Sequence, residues 1–306
     1  MDPVSVEGIS KRYRNVQALD AVSFSVKQGE LFGLVGPDGA GKTTLMRILA
    51  TLLLADRGTA RVDGFDVVRD SRQIRERVGY MPGRFSLYQD LSVEENLEFF
   101  ASVFGTTVAR NRHLVEDIYV QIEPFRKRRA GALSGGMKQK LALSCALIHR
   151  PSVLFLDEPT TGVDPVSRKE FWEILGGLKS QGISILVSTP YMDEASRCDR
   201  IAFLDAGRIL AIDSPTGVVS AFPGPLWAAR GKDMHRLLSD LRGDPDVETA
   251  FAFGESHHVK PRRGIGSPAD LFRRLERLGH PGLDISPIVP GIEDCFMEIL
   301  GGRNRP

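Results

Sequence analysis

LFGLVGPDGAGKT, residues 31–43, is the stretch that decides the fold. Its first five residues form a nearly continuous apolar run, which is typical of a strand buried on both faces. The remainder, 36–43, fits the pattern G-x-x-x-x-G-K-[ST], in which glycines let backbone N–H groups converge on phosphate oxygens at a helix N-terminus. A strand, a glycine-rich loop and a helix in this order predict an α/β domain that binds a nucleotide.

The phosphate loop, residues 36–43, gives separate roles to its polar side chains. Lys42 is expected to reach the outer phosphates, and the hydroxyl of Thr43 can ligate Mg²⁺. The other residues predicted to contact the nucleotide here are Gly36, Asp38, Gly39, Gly41 and Thr44. A glycine-rich turn without this function would leave the lysine and the threonine unexplained.

An acidic pair follows a second apolar run later in the chain, in VLFLDEP, residues 153–159. Asp157, at the tip of the predicted strand, can hold Mg²⁺ directly or through water, and Glu158 is placed to polarise an attacking water. Such a pair is a weak signal alone. After a phosphate loop, it predicts a site that hydrolyses the nucleotide.

Strand-like and helix-like segments alternate up to about residue 212, which is typical of a mostly parallel α/β sheet. The apolar runs lie at 22–26, 31–35, 58–62, 77–81, 153–156, 183–187 and 200–204, and the helix-length segments at 43–54, 92–104, 110–122, 134–148 and 166–181. Helices without intervening strands predict a helical insert over about 84–150. The Pro-, Gly- and Ser-rich stretch 214–225 predicts a boundary. We therefore expect a first domain over 1–215 and a small α+β domain over 216–306.

LSGGMKQ, residues 133–139, opens a predicted helix and resembles the signature sequence of ABC ATPases. It departs from the commonest form at Met137, where glutamine is usual. Ser134 is a good N-cap, and Gly135 and Gly136 leave backbone N–H groups exposed at the positive end of the helix. The segment therefore offers a second phosphate cradle.

Two further segments add to the resemblance. TTGVDP, 160–165, looks like the D-loop of the family and contains Asp164, while Tyr13 stands where the family stacks an aromatic ring on adenine. The resemblance covers residues 1 to about 215 and implies a P-loop NTPase fold of the ABC type, with an antiparallel β subdomain beside the parallel sheet. More loosely, PGIEDCFMEIL near the C-terminus resembles the tail of drug-exporter-like ATP-binding subunits.

Membership of this family would imply that two ATP-binding subunits face each other head to tail. Each ATP lies between the phosphate loop of one chain and the signature residues of the other, which here are Ser134, Gly135, Gly136 and Gln139. Hydrolysis then drives ABC permease subunits in the membrane. By the same resemblance, 84–105 receives a coupling helix of the permease, although simple amphipathic packing would explain many of its apolar residues.

Two positions depart from the family pattern on the same nucleotide site. Pro190 follows a strand-end Ser-Thr pair where the family usually has a histidine that contacts the γ-phosphate, and Gly83 stands where a glutamine usually touches Mg²⁺ and the attacking water. Binding should survive, because Lys42, Thr43 and Asp157 are present, but the water would be poorly positioned. This pattern favours a heterodimer with a complete partner over a homodimer. A largely non-hydrolysing regulatory subunit is the alternative: the two departures favour it, and Glu158 argues against it.

Composition and motifs limit which other classes of protein the chain could belong to. Lysine and arginine number 40 against 39 acidic residues, so no overall field attracts nucleic acid, and we expect no nucleic-acid partner. A soluble ABC protein acting on DNA or ribosomes would be expected to show coiled-coil arms, zinc cysteines or a second phosphate loop in the chain. The sequence shows none of these features, which argues against that class. The three cysteines fit buried thiols in a reducing cytosol. With no signal peptide or membrane-length apolar run, the chain is expected to lie peripherally on the cytoplasmic side of the membrane.

Two smaller features have ordinary explanations. FRKRR, 125–129, is expected to be a solvated basic face, with contact to anionic headgroups or to the partner as the alternative. His257 and His258 lie in a polar stretch without a third ligand nearby, so we expect surface histidines rather than a metal site.

Overall fold

The computed structural model describes residues 2–83, 86–262 and 267–303. The chain divides into two compact units, Met1–Pro215 and Thr216–Pro306. The strands of the first unit are β1 (Val4–Tyr13), β2 (Val16–Val26), β3 (Leu31–Val35), β4 (Arg57–Val62), β5 (Phe65–Asp66), β6 (Val78–Met81), β7 (Val153–Asp157), β8 (Ser184–Thr189), β9 (Arg200–Asp205) and β10 (Arg208–Asp213). Its helices are α1 (Lys42–Leu49), α2 (Ser71–Arg75), α3 (Val93–Val103), α4 (Val108–Asn111), α5 (Glu116–Tyr119), α6 (Gly135–Leu147), α7 (Pro165–Ser180) and α8 (Met192–Ala195).

The larger sheet of the first unit has the strand order β10-β9-β3-β8-β7-β6. The five strands from β9 to β6 run parallel, and β10 pairs antiparallel with β9. Every residue of β3, β7 and β8 is buried, as their apolar sequences predict. The mostly parallel sheet is thus confirmed. Because neighbouring parallel strands end at the same edge, the segments that follow β3, β7 and β8 come together there.

A smaller antiparallel sheet has the order β2-β1-β4-β5. The apolar runs 22–26 and 58–62 belong to this sheet and not to the parallel one. Their apolar residues predicted strands but did not show which strands they would pair with. One hydrophobic cluster joins both sheets to α1, and Phe24 of β2 stacks on Phe32 of β3 with ring centroids 5.3 Å apart.

Two helix predictions need correction. The helix expected over 43–54 ends at Leu49, because Thr51 takes a positive φ of 60° and the Leu52 N–H bonds back to the Arg47 carbonyl. The helix expected over 110–122 is broken into α4, a 3-10 turn and α5. The buried Val115, whose φ is −124°, separates the last two.

Helices fill the chain between β6 and β7, where the helical insert was predicted. α3 packs against α6 and begins with a capping box, in which Ser92 and Glu95 exchange hydrogen bonds. The buried amide of Asn96 bonds the backbone of Tyr88 in both directions and thereby fixes the segment before α3.

The second unit follows the order β-α-β-β-α-β and then a last helix. Its elements are β11 (Leu226–Arg230), α10 (Met234–Gly243), β12 (Val247–Phe253), β13 (Ser256–Pro261), α11 (Pro268–Arg277), β14 (Asp284–Ile288) and α12 (Ile292–Arg303), and they follow α9 (Pro215–Ser220). The sheet order β12-β13-β11-β14 is that of a ferredoxin-like split β-α-β fold. Its core includes Trp227, Leu237 and Leu271.

The prediction that the two neighbouring histidines of this unit lie at the surface is wrong. His257 is buried with its Nε2 2.7 Å from the Met234 carbonyl oxygen, and His258 Nδ1 lies 2.7 Å from Asp294 Oδ1. The polar sequence around these histidines suggested that they are exposed. However, β13 lies between two other strands of the sheet, and most of its residues are buried. Within the described ranges, no group of three or more His, Cys, Asp and Glu side chains could hold a metal, and no helix is long and apolar enough to cross a membrane.

Candidate nucleotide site

The phosphate loop joins β3 to α1 in a shape that depends on two of its glycines. A Cβ at Gly36 would lie 2.0 Å from the Leu204 carbonyl oxygen, so no side chain fits there. Gly41 has φ of 108°, and a Cβ on it would lie 2.4 Å from the Ala18 carbonyl oxygen. Of the remaining predicted contacts, Asp38 and Gly39 are exposed in the loop, and Thr44 is half-buried in the first turn of α1.

Lys42 is held in the centre of this loop. Its buried ammonium donates to the carbonyl oxygens of Gly36, at 2.7 Å, and Pro37, at 3.0 Å. It also lies 3.1 Å from Glu158 Oε1. The loop lysine and the acidic residue after β7 therefore share one site, although 116 positions separate them in sequence (158 − 42).

Thr43 and Asp157 meet beside this lysine. The Thr43 hydroxyl donates to Asp157 Oδ1 at 3.2 Å, and the Ser188 hydroxyl donates to the same oxygen at 2.7 Å. Asp157 is buried. A hydroxyl and a carboxylate in contact fit Mg²⁺, which prefers hard oxygen ligands. Ser188 was not among the predicted site residues. The sequence feature that could have identified it is its position at the end of β8, beside the end of β7.

Glu158 adopts a backbone conformation that is uncommon for its residue type. Its φ is 49°, in the left-handed region, which costs a non-glycine residue about 1–2 kcal/mol. The backbone N–H of Glu158 donates to Ser188, at 3.0 Å to Oγ and 3.1 Å to the carbonyl oxygen. These bonds stabilise the turn that directs the carboxylate towards Lys42.

The two positions that depart from the family pattern both lie at this edge of the sheet. A Cβ at Gly83 would be 2.9 Å from the Asp157 carbonyl oxygen and 3.8 Å from Asp157 Cγ, so any side chain at 83 requires a local shift. Pro190 directly follows β8, and the Tyr191 N–H closes the turn by donating to Thr189 Oγ1 at 3.0 Å. Gly83 and Pro190 thus flank the strand ends that carry Asp157 and Ser188.

Tyr13, the residue expected to stack on adenine, is the last residue of β1. Its ring is 42% exposed, and Lys11 Nζ lies 5.9 Å from the ring centroid. An exposed aromatic ring next to a cation is suited to a flat, electron-rich partner such as a purine base.

The signature segment leads into α6 and forms its first turn. Ser134 caps the helix by accepting from the Met137 N–H at 3.3 Å, Gly135 is exposed and Gln139 is half-buried. A Cβ at Gly136 would lie 2.5 Å from Ser167 Oγ, so this glycine lets α6 approach α7. No hydrogen bond or ion pair within the described ranges joins the signature residues to Lys42 or Glu158.

Asp164 has a structural role that sequence alone did not reveal. It is the N-cap of α7, and its Oδ1 accepts from the Ser167 N–H at 3.0 Å. The hydrogen bonds from Ser167 lower the pKa of the Asp164 carboxyl. The carboxylate is exposed, so capping does not prevent it from meeting a second chain.

An apolar cavity of about 340 Å³ lies between the helical insert and the parallel sheet. The part of the insert that lines it includes Leu87, Phe100, Val103 and Phe104, and we term this cavity the insert groove. Phe104 stacks on His149 with centroids 3.7 Å apart, and burial lowers the pKa of His149 to about 4. The His149 ring is therefore uncharged at neutral pH, and Arg75 also lines the groove. Arg84 and Phe85, within the segment predicted to meet a coupling helix, lie outside the described residues.

The chain is similar to several known proteins. A family model described as "ABC transporter" matches residues 19–161. The chain is 37% identical over 305 residues to the probable multidrug ABC transporter ATP-binding protein YbhF of Escherichia coli (strain K12), covering 98% of this chain but 52% of that protein. It thus spans about half the length of that relative. It is 36% identical to the Nod factor export ATP-binding protein I of Burkholderia orbicola (strain AU 1054), covering 98% of this chain and 97% of that one.

A solved structure described as an ATP binding subunit of an ABC transporter superposes with a TM-score of 0.65. The two share 29% sequence identity, and the match covers 71% of this chain and 92% of the other.

Proposed function

Since this chain belongs to the ABC transporter family of ATP-binding proteins, we propose that it binds and hydrolyses Mg·ATP to drive a membrane transporter. The names of its relatives, which refer to multidrug transport and Nod factor export, support export as the direction. They do not identify the solute that this transporter carries.

The observation that carries the proposal is the meeting of Lys42, Thr43, Asp157 and Glu158 at one edge of the parallel sheet. Lys42 would neutralise charge on the outer phosphates, and Glu158 would accept a hydrogen bond from the attacking water and orient it. Mg²⁺ held by Thr43 and Asp157 would offset the charge that develops on the phosphates. Phosphate release by the purified transporter assembly tests the proposal, and an assembly inert towards ATP would contradict it.

We further propose that a second ATP-binding subunit completes each site. The signature cradle has an exposed cap residue and an exposed first glycine, Ser134 and Gly135, and no described contact joins it to Lys42 of the same chain. A cradle of N–H groups at a positive helix end is suited to an anion that another chain brings. A head-to-tail pair would place each cradle opposite the other chain's phosphate loop.

The chain is also proposed to dock, from the cytoplasmic side, on an ABC permease through the insert groove. The groove is apolar, and two exposed aromatic residues are sequence neighbours of its lining residues Leu87 and Phe100. Tyr88 is 50% exposed and contacts Phe99 edge to face with ring centroids 4.7 Å apart. An amphipathic helix laid into such a groove buries its apolar face without requiring a charged partner. This surface favours a permease over nucleic acid, whose binding would need a basic stripe.

Adenine stacking gives a first test. Tyr13→Ala should weaken binding of Mg·ATP by about 10-fold, because stacking a base on an aromatic ring contributes roughly 1–3 kcal/mol. Tyr13→Phe keeps the ring and should bind nearly as tightly as the natural chain. Calorimetric titration of the full chain measures both. Equal affinities in all three proteins would place the adenine elsewhere.

Docking gives a second test. Val103→Asp puts a charge into the insert groove, and stimulation of ATP turnover by the permease should fall about 10-fold or more, because an unpaired charge is costly to desolvate. Val120→Asp is a matched control: this valine is also exposed but lies outside the groove lining.

Glu94→Lys reverses a charge at the surface of α3 and should also weaken stimulation by the permease. Glu95 is unsuitable for such a reversal, because its carboxylate accepts from the Ser92 N–H at 2.7 Å in the α3 cap.

Retained stimulation in Val103→Asp, with ATP affinity unchanged, would contradict docking at this groove. Loss of stimulation in both Val103→Asp and Val120→Asp would indicate a general disturbance of the insert instead.

A further inference from the structure

A buried carboxylate with no role in the site above lies just beyond Pro190. Glu194, in α8, is 2% exposed. It accepts hydrogen bonds from Thr189 Oγ1 at 2.5 Å, Thr160 Oγ1 at 2.7 Å and Arg168 Nε at 3.0 Å. These donors belong to the end of β8, the segment after Glu158 and the first turn of α7. A buried carboxylate fixes its donors relative to one another, because losing any of them leaves the charge under-satisfied.

The turn at Pro190 is tied to α7 a second time. Proline has no backbone N–H, and the turn closes instead through the Tyr191 N–H, which donates to Thr189 Oγ1. The Tyr191 ring lies under the guanidinium of Arg168, 4.2 Å from Cζ to the ring centroid. Arg168 therefore contacts both the carboxylate and the ring that follow Pro190.

The first turn of α7 in turn contacts the signature helix. Ser167, the neighbour of Arg168, is the residue that a Cβ at Gly136 would meet. One turn further along, Lys140 of α6 donates to Glu170 of α7 at 2.6 Å. Packed contacts thus run without interruption from the Pro190 turn through Glu194, Arg168 and Ser167 to the signature helix.

We propose that Glu194 is a positioning residue for ATP hydrolysis. It fixes the segment that carries Glu158, and the start of α7 against which the signature helix packs, to the end of β8. It acts through Thr160 and Arg168, and its effect on turnover comes mainly through α7 and the signature helix, which would serve the partner's site. This inference rests on the proposed function, because the reaction that Glu194 serves is the turnover of ATP.

Turnover in the assembled transporter gives the first readout. Glu194→Gln keeps the shape but removes the charge that Arg168 pairs with, and kcat should fall about 10-fold or more while KM for ATP changes little, as expected for an interaction that matters in the transition state. Thr160→Val removes one donor and should lower kcat several-fold. Thr160→Ser restores that donor and should restore kcat.

Asp193→Asn is the matched control. Asp193 is the other carboxylate bound by Arg168, at 3.1 Å, but its side chain is 76% exposed. Removing its charge should leave kcat unchanged, because exposed pairs contribute little. Unchanged kcat in Glu194→Gln and Thr160→Val would overturn the proposal. So would a fall in kcat accompanied by an equal loss of ATP affinity and of melting temperature, which would indicate a purely structural role.

Amide hydrogen exchange on the full chain gives a readout that does not require turnover. In Glu194→Gln and in Thr160→Val, amides of 160–168 and of the first turn of α6 should exchange faster, while those of β3 should not. Unchanged exchange at 160–168 would overturn the proposal even if kcat fell. Faster exchange there, in an assembly whose natural form hydrolyses no ATP, would uphold the positioning and contradict the proposed function.

Discussion

Lys42→Met is expected to reduce Mg·ATP binding at this chain's phosphate loop by about 100-fold or more. The ammonium is buried, held by the carbonyl oxygens of Gly36 and Pro37, and aimed at the space beside Glu158. Hydrogen bonds to charged groups contribute about 1.5–3 kcal/mol each, and two lost phosphate contacts account for the expected fall. In the natural chain, ATP at 100 times its Kd should raise the free energy of unfolding by about 2.7 kcal/mol, and Lys42→Met should show almost none of this gain.

Lys140→Met is the matched control for this prediction. Lys140 is another buried lysine of the first unit, paired with Glu170 at 2.6 Å, and lies away from the phosphate loop. It should lose stability but keep its affinity for ATP. Because Lys42→Met also leaves Glu158 without its cation, a Lys42→Met, Glu158→Gln double variant separates that effect from loss of binding. Natural affinity in Lys42→Met by calorimetry would contradict the assignment of the phosphate loop.

The parallel sheet could be predicted from sequence because its signals are local. The apolar runs that became β3, β7 and β8 need no knowledge of their partners, since strands buried on every side are continuously apolar. The antiparallel sheet could not be predicted from the residues in the same way. Its strand β1 pairs with β2 and with β4, and the sequence VSVEGISKRY contains a glycine with positive φ, Gly8, and several register shifts. The arrangement of that sheet depends on pairing between strands that are distant in sequence.

The polar groups of the candidate site could be predicted only where a motif marks them. Thr43 and Asp157 stand in recognisable patterns and are in contact in the structure. Ser188 and Glu194 do not, because a serine at a strand end and a glutamate in a short acidic helix are ordinary in sequence. Burial distinguishes them, and burial depends on how β7, β8 and α7 pack together. The close approach of Gly83 to Asp157 likewise depends on tertiary packing and could not be predicted from the sequence.

The two departures, Gly83 and Pro190, affect the site built on this chain's own phosphate loop. In the proposed head-to-tail pair, the signature cradle would serve the opposite site, and its residues are present. Water positioning and general acid–base assistance contribute about 10²–10⁴-fold, or roughly 3–5 kcal/mol of barrier, to rate. Without the orienting glutamine and histidine, we expect Glu158 alone to leave the chain's own site slow. We therefore propose a heterodimer, in which one site would hold ATP and the partner's site would turn over.

In a complex with a partner that carries the usual glutamine and histidine, Gly135→Asp should lower hydrolysis about 100-fold or more. The change places a carboxylate in the cradle that faces the partner's γ-phosphate, and like charges in close contact cost several kcal/mol. Gly135 suits this test better than Gly136, because a Cβ at 135 meets the Gly162 carbonyl oxygen at an ordinary 3.4 Å, whereas one at 136 would strike Ser167. Gly135→Ala adds the same Cβ without charge and should stay near the natural rate.

Glu158→Gln in the same complex should lower hydrolysis only modestly, by less than about three-fold, because the site that it damages contributes little to turnover. Steady-state phosphate release ranks the variants, and ATP binding measured on each excludes misfolding. The opposite ranking, with Glu158→Gln inactive and Gly135→Asp mild, would show that the chain's own site does the work and that Gly83 and Pro190 are tolerated. Equal and complete loss in both, from a preparation containing this chain as its one ATP-binding subunit, would instead indicate a homodimer that hydrolyses ATP without the missing side chains.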